Sequence, residues 1–247
     1  HQIEKWLEIY AHRFKNPVFR LFQSELEVVY EEKNMSLDNH FNNLFEKYIA
    51  AFYKNFPYGT QTVLGSVEHL KNPSIKKMME YFNTYYVANN MALILVGDFK
   101  KDEIKPLIEQ KFGVWRSGNI PAFPDYKEDD FKGREKVVKR LTPIKVGIIG
   151  FRTVPKKHHD EIALNICNNL LFNNNKTGLF NQLMLDNEIL AAMGMPLQFE
   201  ETGSSMFIFV PKIIGQSLPK AEKKVMAQFE KLRKGDFDEQ LLEGVKL

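Results

Sequence analysis

The chain has 247 residues, 44% hydrophobic and 13% aromatic, enough to bury a core in one large domain or two of ordinary size. Its 34 basic and 31 acidic side chains leave a formal charge of +3, which predicts neither a nucleic-acid nor a membrane partner. A single cysteine excludes an internal disulfide framework and a cysteine-rich zinc site, and no apolar run is long enough to span a bilayer.

The chain opens on an amphipathic pattern. Ile3, Trp6, Leu7, Tyr10 and Phe14 recur at helical spacing, and residues 2–14 and 17–54 read as helices. FPYGTQTVLGS at 56–66 carries a proline and two glycines and reads as a loop. A helix restarts over 72–86, with Asn72 as cap and Pro73 at its first position. MALILV at 91–96 has the length of a buried strand, ended by Gly97 and Asp98. KDEIKPLIEQKF reads as a short helix closed by Gly113 despite Pro106, and residues 117–133 form the best linker in the chain.

Beyond the linker, VVKRLTPIKVGIIGFRTVP reads as extended, HHDEIALNICNNLLF and TGLFNQLMLDNEIL as helices, SSMFIFVPKI as a strand, and LPKAEKKVMAQFEKLRK as a helix ending at Gly235. Cys167 shares helical spacing with Ile162 and Ile166 and is expected to be a core thiol rather than a nucleophile. Both halves run helix, strand, helix, a weak sign of internal duplication. Helices and strands mix throughout, so the fold class is α+β. The expected domains are 1–117, a linker at 118–135, and 136–247. Both ends fall inside helical patterns, and the chain reads as a fragment of a longer protein. The compartment is not legible.

The stretch ELEVVYEEKN at 25–34 is the most informative. On a helical wheel at about 100° per residue, Leu21, Phe22, Leu26, Val28 and Val29 gather on one arc. Glu25 and Glu32 fall near the middle of that arc, because seven residues make almost two turns, whereas Glu27 and Glu31 fall on the polar side. A carboxylate on a buried stripe needs an ion pair, hydrogen bonds or a metal. The wheel leaves open a pairing with Arg13 or Arg20 and a metal or catalytic role.

RFKNPVFRLFQSELEVVYEEKNMSLDN resembles the helix that carries the last zinc ligand in the M16 (insulinase, pitrilysin and mitochondrial processing peptidase) family. There a glutamate on a helix downstream of an inverted H-x-x-E-H motif completes the zinc sphere. The family pattern of a Glu, then a second Glu seven residues on, matches Glu25 and Glu32, with Val29 three before the latter. The resemblance implies that Glu32 is a zinc ligand and Glu25 the supporting acid of the catalytic site.

PYGTQTVLGSVEHL at 57–70, YYVANNMALILVGDF at 85–99, KFGVW at 111–115 and KVGIIGFRTVP are similar to later family segments in the same order. TGLFNQLMLDNEILAA is a looser match, with Met184 and Leu185 at the usual Arg-Glu region. The implied fold is the metalloenzyme fold of the M16 peptidases (LuxS- and processing-peptidase-like), the end of one αβ domain followed by the start of a similar one.

The implied activity is zinc-dependent endopeptidase chemistry on a peptide or small protein. A second M16-like half, in the same chain or a partner subunit, is the implied partner. Yet the chain holds no H-x-x-E-H. GSVEH at 65–69 has Gly65 in place of the first His, and the adjacent His158 and His159 are expected to diverge on a helix and remain surface residues. The resemblance therefore puts the histidines and the catalytic glutamate upstream of residue 1. One carboxylate holds zinc poorly, so the chain by itself is expected to be inactive. Two other readings stay open: a non-catalytic M16-like partner or scaffold subunit, and an unrelated α+β binding module whose inward glutamates are ion-paired with an arginine.

Overall fold

The computed structural model describes residues 2–140 and 143–246. Leu141 and Thr142, inside the extended run read from the sequence, and Leu247, at the end of the last helical pattern, lie outside the described residues. The chain divides into two compact units: residues 1–46 with 53–131, and residues 47–52 with 132–247.

The first unit is helical. It contains α1 (Ile3–Lys15), α2 (Phe22–Asp38), most of α3 (His40–Phe52), the short α4 (Pro57–Thr60) and α5 (Val67–Lys71), then α6 (Ile75–Tyr85) and α7 (Lys101–Phe112). The sequence suggested one helix over 17–54, but Asn39 divides it. Its Oδ1 accepts hydrogen bonds from the backbone N–H of Phe41 and Asn42 at 3.0 and 3.1 Å, satisfying two orphan donors at the start of α3. Helix α6 starts later than expected because Ser74, not Asn72, takes the cap by accepting from the Lys77 N–H.

Helix α1 packs on α7, burying Leu7 against the helix that contributes Ile104, and Lys111 reaches back to Glu8 at 3.1 Å and Glu4 at 3.7 Å. Phe14 stacks on Tyr86 and Trp115. Residues 119–131 have no regular structure but are anchored. The Glu128 carboxylate accepts hydrogen bonds from the backbone N–H groups of Lys54, Asn55 and Phe56 at 2.9, 2.8 and 3.1 Å.

The expected strand MALILV does not form. Residues 91–96 take no strand pairing, and Ile94 and Val96 are 83% and 93% exposed. A strand is stable only when a partner takes its N–H and C=O groups. Among the described residues the only sheet lies in the second unit.

That sheet has three antiparallel strands, β1 (Gly147–Thr153), β2 (Ala191–Gln198) and β3 (Gly203–Val210), in the order β1-β3-β2. Central β3 is buried along most of its length. Strand β2 was not legible in the sequence. AAMGMPLQ is poor in β-branched residues and contains Pro196, which an edge strand tolerates because only one side of it must donate.

Helices α8 (Glu161–Leu171), α9 (Leu179–Leu185) and α10 (Leu218–Lys234) pack beside the sheet, and α11 (Glu239–Lys246) rests on α8. The core joins Leu171, Phe180, Leu183, Ile189, Phe207, Phe209, Ala221 and Val225. Phe180, Phe207 and Phe229 meet edge to face, with centroids 5.0–5.4 Å apart. The last residues of α3 cover part of β1: a Cβ on Gly150 would collide with the Tyr48 and Phe52 rings, and Arg152 lies over Phe52 at 5.8 Å. Cys167 is not in this core. It is exposed, as is Ile162 (75%), while Ile166 is half-buried. Cys167 lies about 140° around α8 from Ile162, so the spacing does not carry the thiol into the core.

Candidate functional site

Helix α2 begins after Leu21, held in the left-handed region at φ 54°, and Glu25 lies in its first turn, where a carboxylate is favoured by the helix dipole. Its inner face carries Phe22, Leu26, Val29, Tyr30 and Lys33, with α5 packed alongside. Lys33 is 3% exposed. Its ammonium donates to Glu46 Oε1 at 2.7 Å and to Thr62 Oγ1 at 3.4 Å, tying α2 to α3 and to the loop before α5. One helical step is about 100°, so turning Lys33 inward turns Glu32 outward.

The outer face carries Leu21, Glu25, Val28, Glu32 and Met35 at alternating four- and three-residue spacing, the geometry of a straight stripe. The wheel placed Glu25 and Glu32 on one arc with Leu21, Phe22, Leu26, Val28 and Val29, and the structure divides that arc: Phe22, Leu26 and Val29 are half-buried, while the glutamates stay outside with Leu21 and Val28. Leu21, Val28 and Met35 are 76%, 53% and 72% exposed, and both glutamates are exposed. Nothing among the described residues covers the stripe. Glu32 lines a shallow hollow with Ser24, Glu27, Val28, Glu31 and Met35. Neither Glu25 nor Glu32 makes a side-chain ion pair among the described residues, so the expected alternative of an arginine clamp from Arg13 or Arg20 is not found.

Helix α2 gathers no set of three metal-ligating side chains among the described residues. Its donors are carboxylates, whereas zinc centres use three or four ligands rich in imidazole or thiolate. The described residues of α2 therefore do not build a zinc sphere by themselves, although Glu32 is free to serve as one ligand. Lys33 was missed in the sequence. Its signal was a lone cation among four acids, falling on the wheel between Phe22 and Leu26 at the flank of the apolar arc.

His158 and His159 also differ from expectation. They precede α8 in a turn, and their rings do not diverge: the centroids are 4.1 Å apart. His158, His159 and Asp160 place one ligand atom each within 4.8 Å of the others.

A mixed helical and three-stranded architecture, with two acids presented outward from one helix, defines an α+β protein that displays a carboxylate pair. The model for the peptidase M16 inactive domain matches residues 74–247, and the chain belongs to the M16 peptidase family. It is 24% identical over 256 residues to the zinc protease PqqE of Helicobacter pylori, covering 99% of this chain and 56% of that protein. It is 31% identical over 134 residues to the beta subunit of the human mitochondrial-processing peptidase, covering 53% of this chain and 27% of that protein.

Among solved structures, a protease from Helicobacter pylori superimposes with a TM-score of 0.78 at 23% identity, over 99% of this chain and 61% of that one. The peptidase M16 inactive domain from Pseudomonas fluorescens gives 0.77 at 14% identity, over 99% and 59%. The fold is thus that of M16 peptidases, as the sequence led us to expect. The chain spans about half the length of the first of these curated relatives.

Proposed function

We propose that this chain is part of a zinc-dependent endopeptidase in which Glu32 is one metal ligand and Glu25 the supporting acid. The supporting observation is the outward carboxylate pair, seven residues apart on one stripe and free of ion pairs among the described residues. In such enzymes bound zinc polarises a water for attack on a peptide carbonyl. This chain's own contribution is to hold two carboxylates in line. The Lys33–Glu46 pair fixes the rotation of α2, and Glu25, almost two turns before Glu32, orients or tunes the groups beside it. The histidines, the general base and much of the peptide-gripping surface would come from outside this sequence, as would a second M16-like half.

In the full-length protein, Glu32→Gln is expected to lose zinc in a metal analysis. Glu25→Gln is expected to retain zinc while lowering kcat on a peptide. Wild-type zinc affinity in Glu32→Gln would overturn the assignment. A second reading, a non-catalytic partner subunit, is favoured by the description of the family model as an inactive domain. That match covers 74–247 and leaves α2 outside it. A wild-type protein devoid of both zinc affinity and peptide hydrolysis would select this second reading.

A further inference from the structure

The turn before α8 is a separate constellation that the peptidase reading does not use. Lys157 is held in the left-handed region at φ 63°, which costs a non-glycine residue free energy and bends the chain sharply. The turn is held from several sides. The Lys156 N–H donates to the Phe199 carbonyl at 2.9 Å, the Lys157 N–H to Glu161 Oε2 at 2.7 Å, and the Glu161 N–H to the His158 carbonyl at 3.0 Å. This bend folds the two imidazoles onto each other and onto Asp160.

Asp160 occupies the N-cap position of α8, yet its carboxylate makes no capping hydrogen bond. It faces the rings instead: Oδ2 lies 3.7 Å from His158 Nδ1 and 3.4 Å from His159 Nε2. Two ligands of a tetrahedral ion with bonds near 2.0–2.1 Å are separated by about 3.4 Å. Two of the three donor spacings, those from Asp160 to each ring, therefore come close to that of corners of such a sphere, and all three donors lie within 4.8 Å of one another, so a small turn of the exposed side chains completes the set. The nearby cations are engaged: Lys156 and Lys157 each lie 3.8 Å from a Glu200 carboxylate oxygen.

We propose that His158, His159 and Asp160 form a binding site for a divalent transition-metal ion of the zinc, nickel or copper class. Two imidazoles and one carboxylate suit these ions and not calcium or magnesium, which prefer all-oxygen spheres. Binding at His158 Nδ1 replaces the hydrogen bond that this nitrogen accepts from the Asp160 N–H at 3.2 Å. With His159 and Asp160 exposed, the site keeps at least one position open to water and holds its ion exchangeably.

The test is a calorimetric titration of the zinc-loaded full-length protein with nickel(II), and a copper(II) spectrum by electron paramagnetic resonance. One additional saturable ion per chain is expected, with two nitrogen ligands on copper. The double variant His158→Ala/His159→Ala should lose that ion, and Asp160→Asn should weaken it on the order of 10-fold or more. Glu32→Gln should leave it untouched, which separates this site from the proposed peptidase centre. Absence of an additional ion at millimolar metal, or an unchanged isotherm in the double variant, would overturn the proposal. Should the double variant misfold by circular dichroism, His159→Gln alone decides. Its ring is 81% exposed, and an unchanged affinity there would equally refute the site.

Discussion

The Lys33–Glu46 pair offers the sharpest quantitative test of how α2 is held. The Lys33 side chain is 4% exposed and that of Glu46 is 26% exposed, so the two ends are not equivalent. Glu46→Ala strands an ammonium in the interior with only the weak Thr62 contact at 3.4 Å. Removing one partner of a fully buried pair costs about 3–5 kcal/mol, and the partial exposure of Glu46 lowers this to about 2–3 kcal/mol.

Lys33→Met does the reverse. It fills nearly the same volume with apolar atoms and leaves a carboxylate that already reaches water, so its cost is about 1 kcal/mol or less. Both tryptophans, Trp6 and Trp115, belong to the first unit, so fluorescence during urea denaturation of the 247-residue chain reports on that unit. With a slope near 2 kcal/mol/M, Glu46→Ala should lower the midpoint by about 1–1.5 M and Lys33→Met by about 0.5 M or less. Equal shifts, or a larger one for Lys33→Met, would refute the claim that desolvation of the lysine governs this contact.

Three further outcomes are expected. Gly150→Ala places a Cβ into the Tyr48 and Phe52 rings and should destabilise the second unit by about 1–3 kcal/mol, read as a lowered thermal midpoint by circular dichroism. Partial desolvation pushes the Cys167 thiol up from its usual range, so near pH 8 the folded chain should hold less thiolate than the unfolded chain. Its reaction with a disulfide reagent should be slower when folded and should accelerate as the pH is raised through the elevated value; equal folded and unfolded rates would count against this. With His158 and His159 replaced by alanine, the 247-residue chain should bind zinc no more tightly than the millimolar range, because a single carboxylate is a poor zinc host; nanomolar binding would sink the argument.

The legibility of the sequence followed the range of the forces involved. A helix whose apolar stripe faces its own unit, such as α10, was readable because the pattern and the packing agree. Boundaries set by one side chain were less so. The Asn39 break between α2 and α3 and the Ser74 cap depend on hydrogen bonds that hydropathy does not record. Strand β2 was missed because its pairing comes entirely from β3, a contact that Ala, Met, Gly and Pro do not announce. The expected divergence of His158 and His159 assumed a helix, and the left-handed Lys157 cancels that assumption.

The two largest differences, α2 and residues 91–96, share one physical cause. Apolar periodicity reports which side of a segment disfavours water; it does not report whether this chain supplies the cover. In α2 the wheel put Leu21 and Val28 on an apolar arc, and both are open, as is Met35 beside them. In MALILV the run reads as a buried strand, and it is unpaired with Ile94 and Val96 exposed. Such segments are costly in water unless another surface meets them. For α2 the carboxylates at the middle of the stripe add a constraint, since whatever meets that face must also satisfy two negative charges. A purely apolar partner would leave Glu25 and Glu32 desolvated and unpaired, whereas a partner bearing a cation or metal-binding groups would satisfy them. The chemistry of the stripe thus points the proposed function of Glu32 toward a shared centre rather than a site enclosed by this chain.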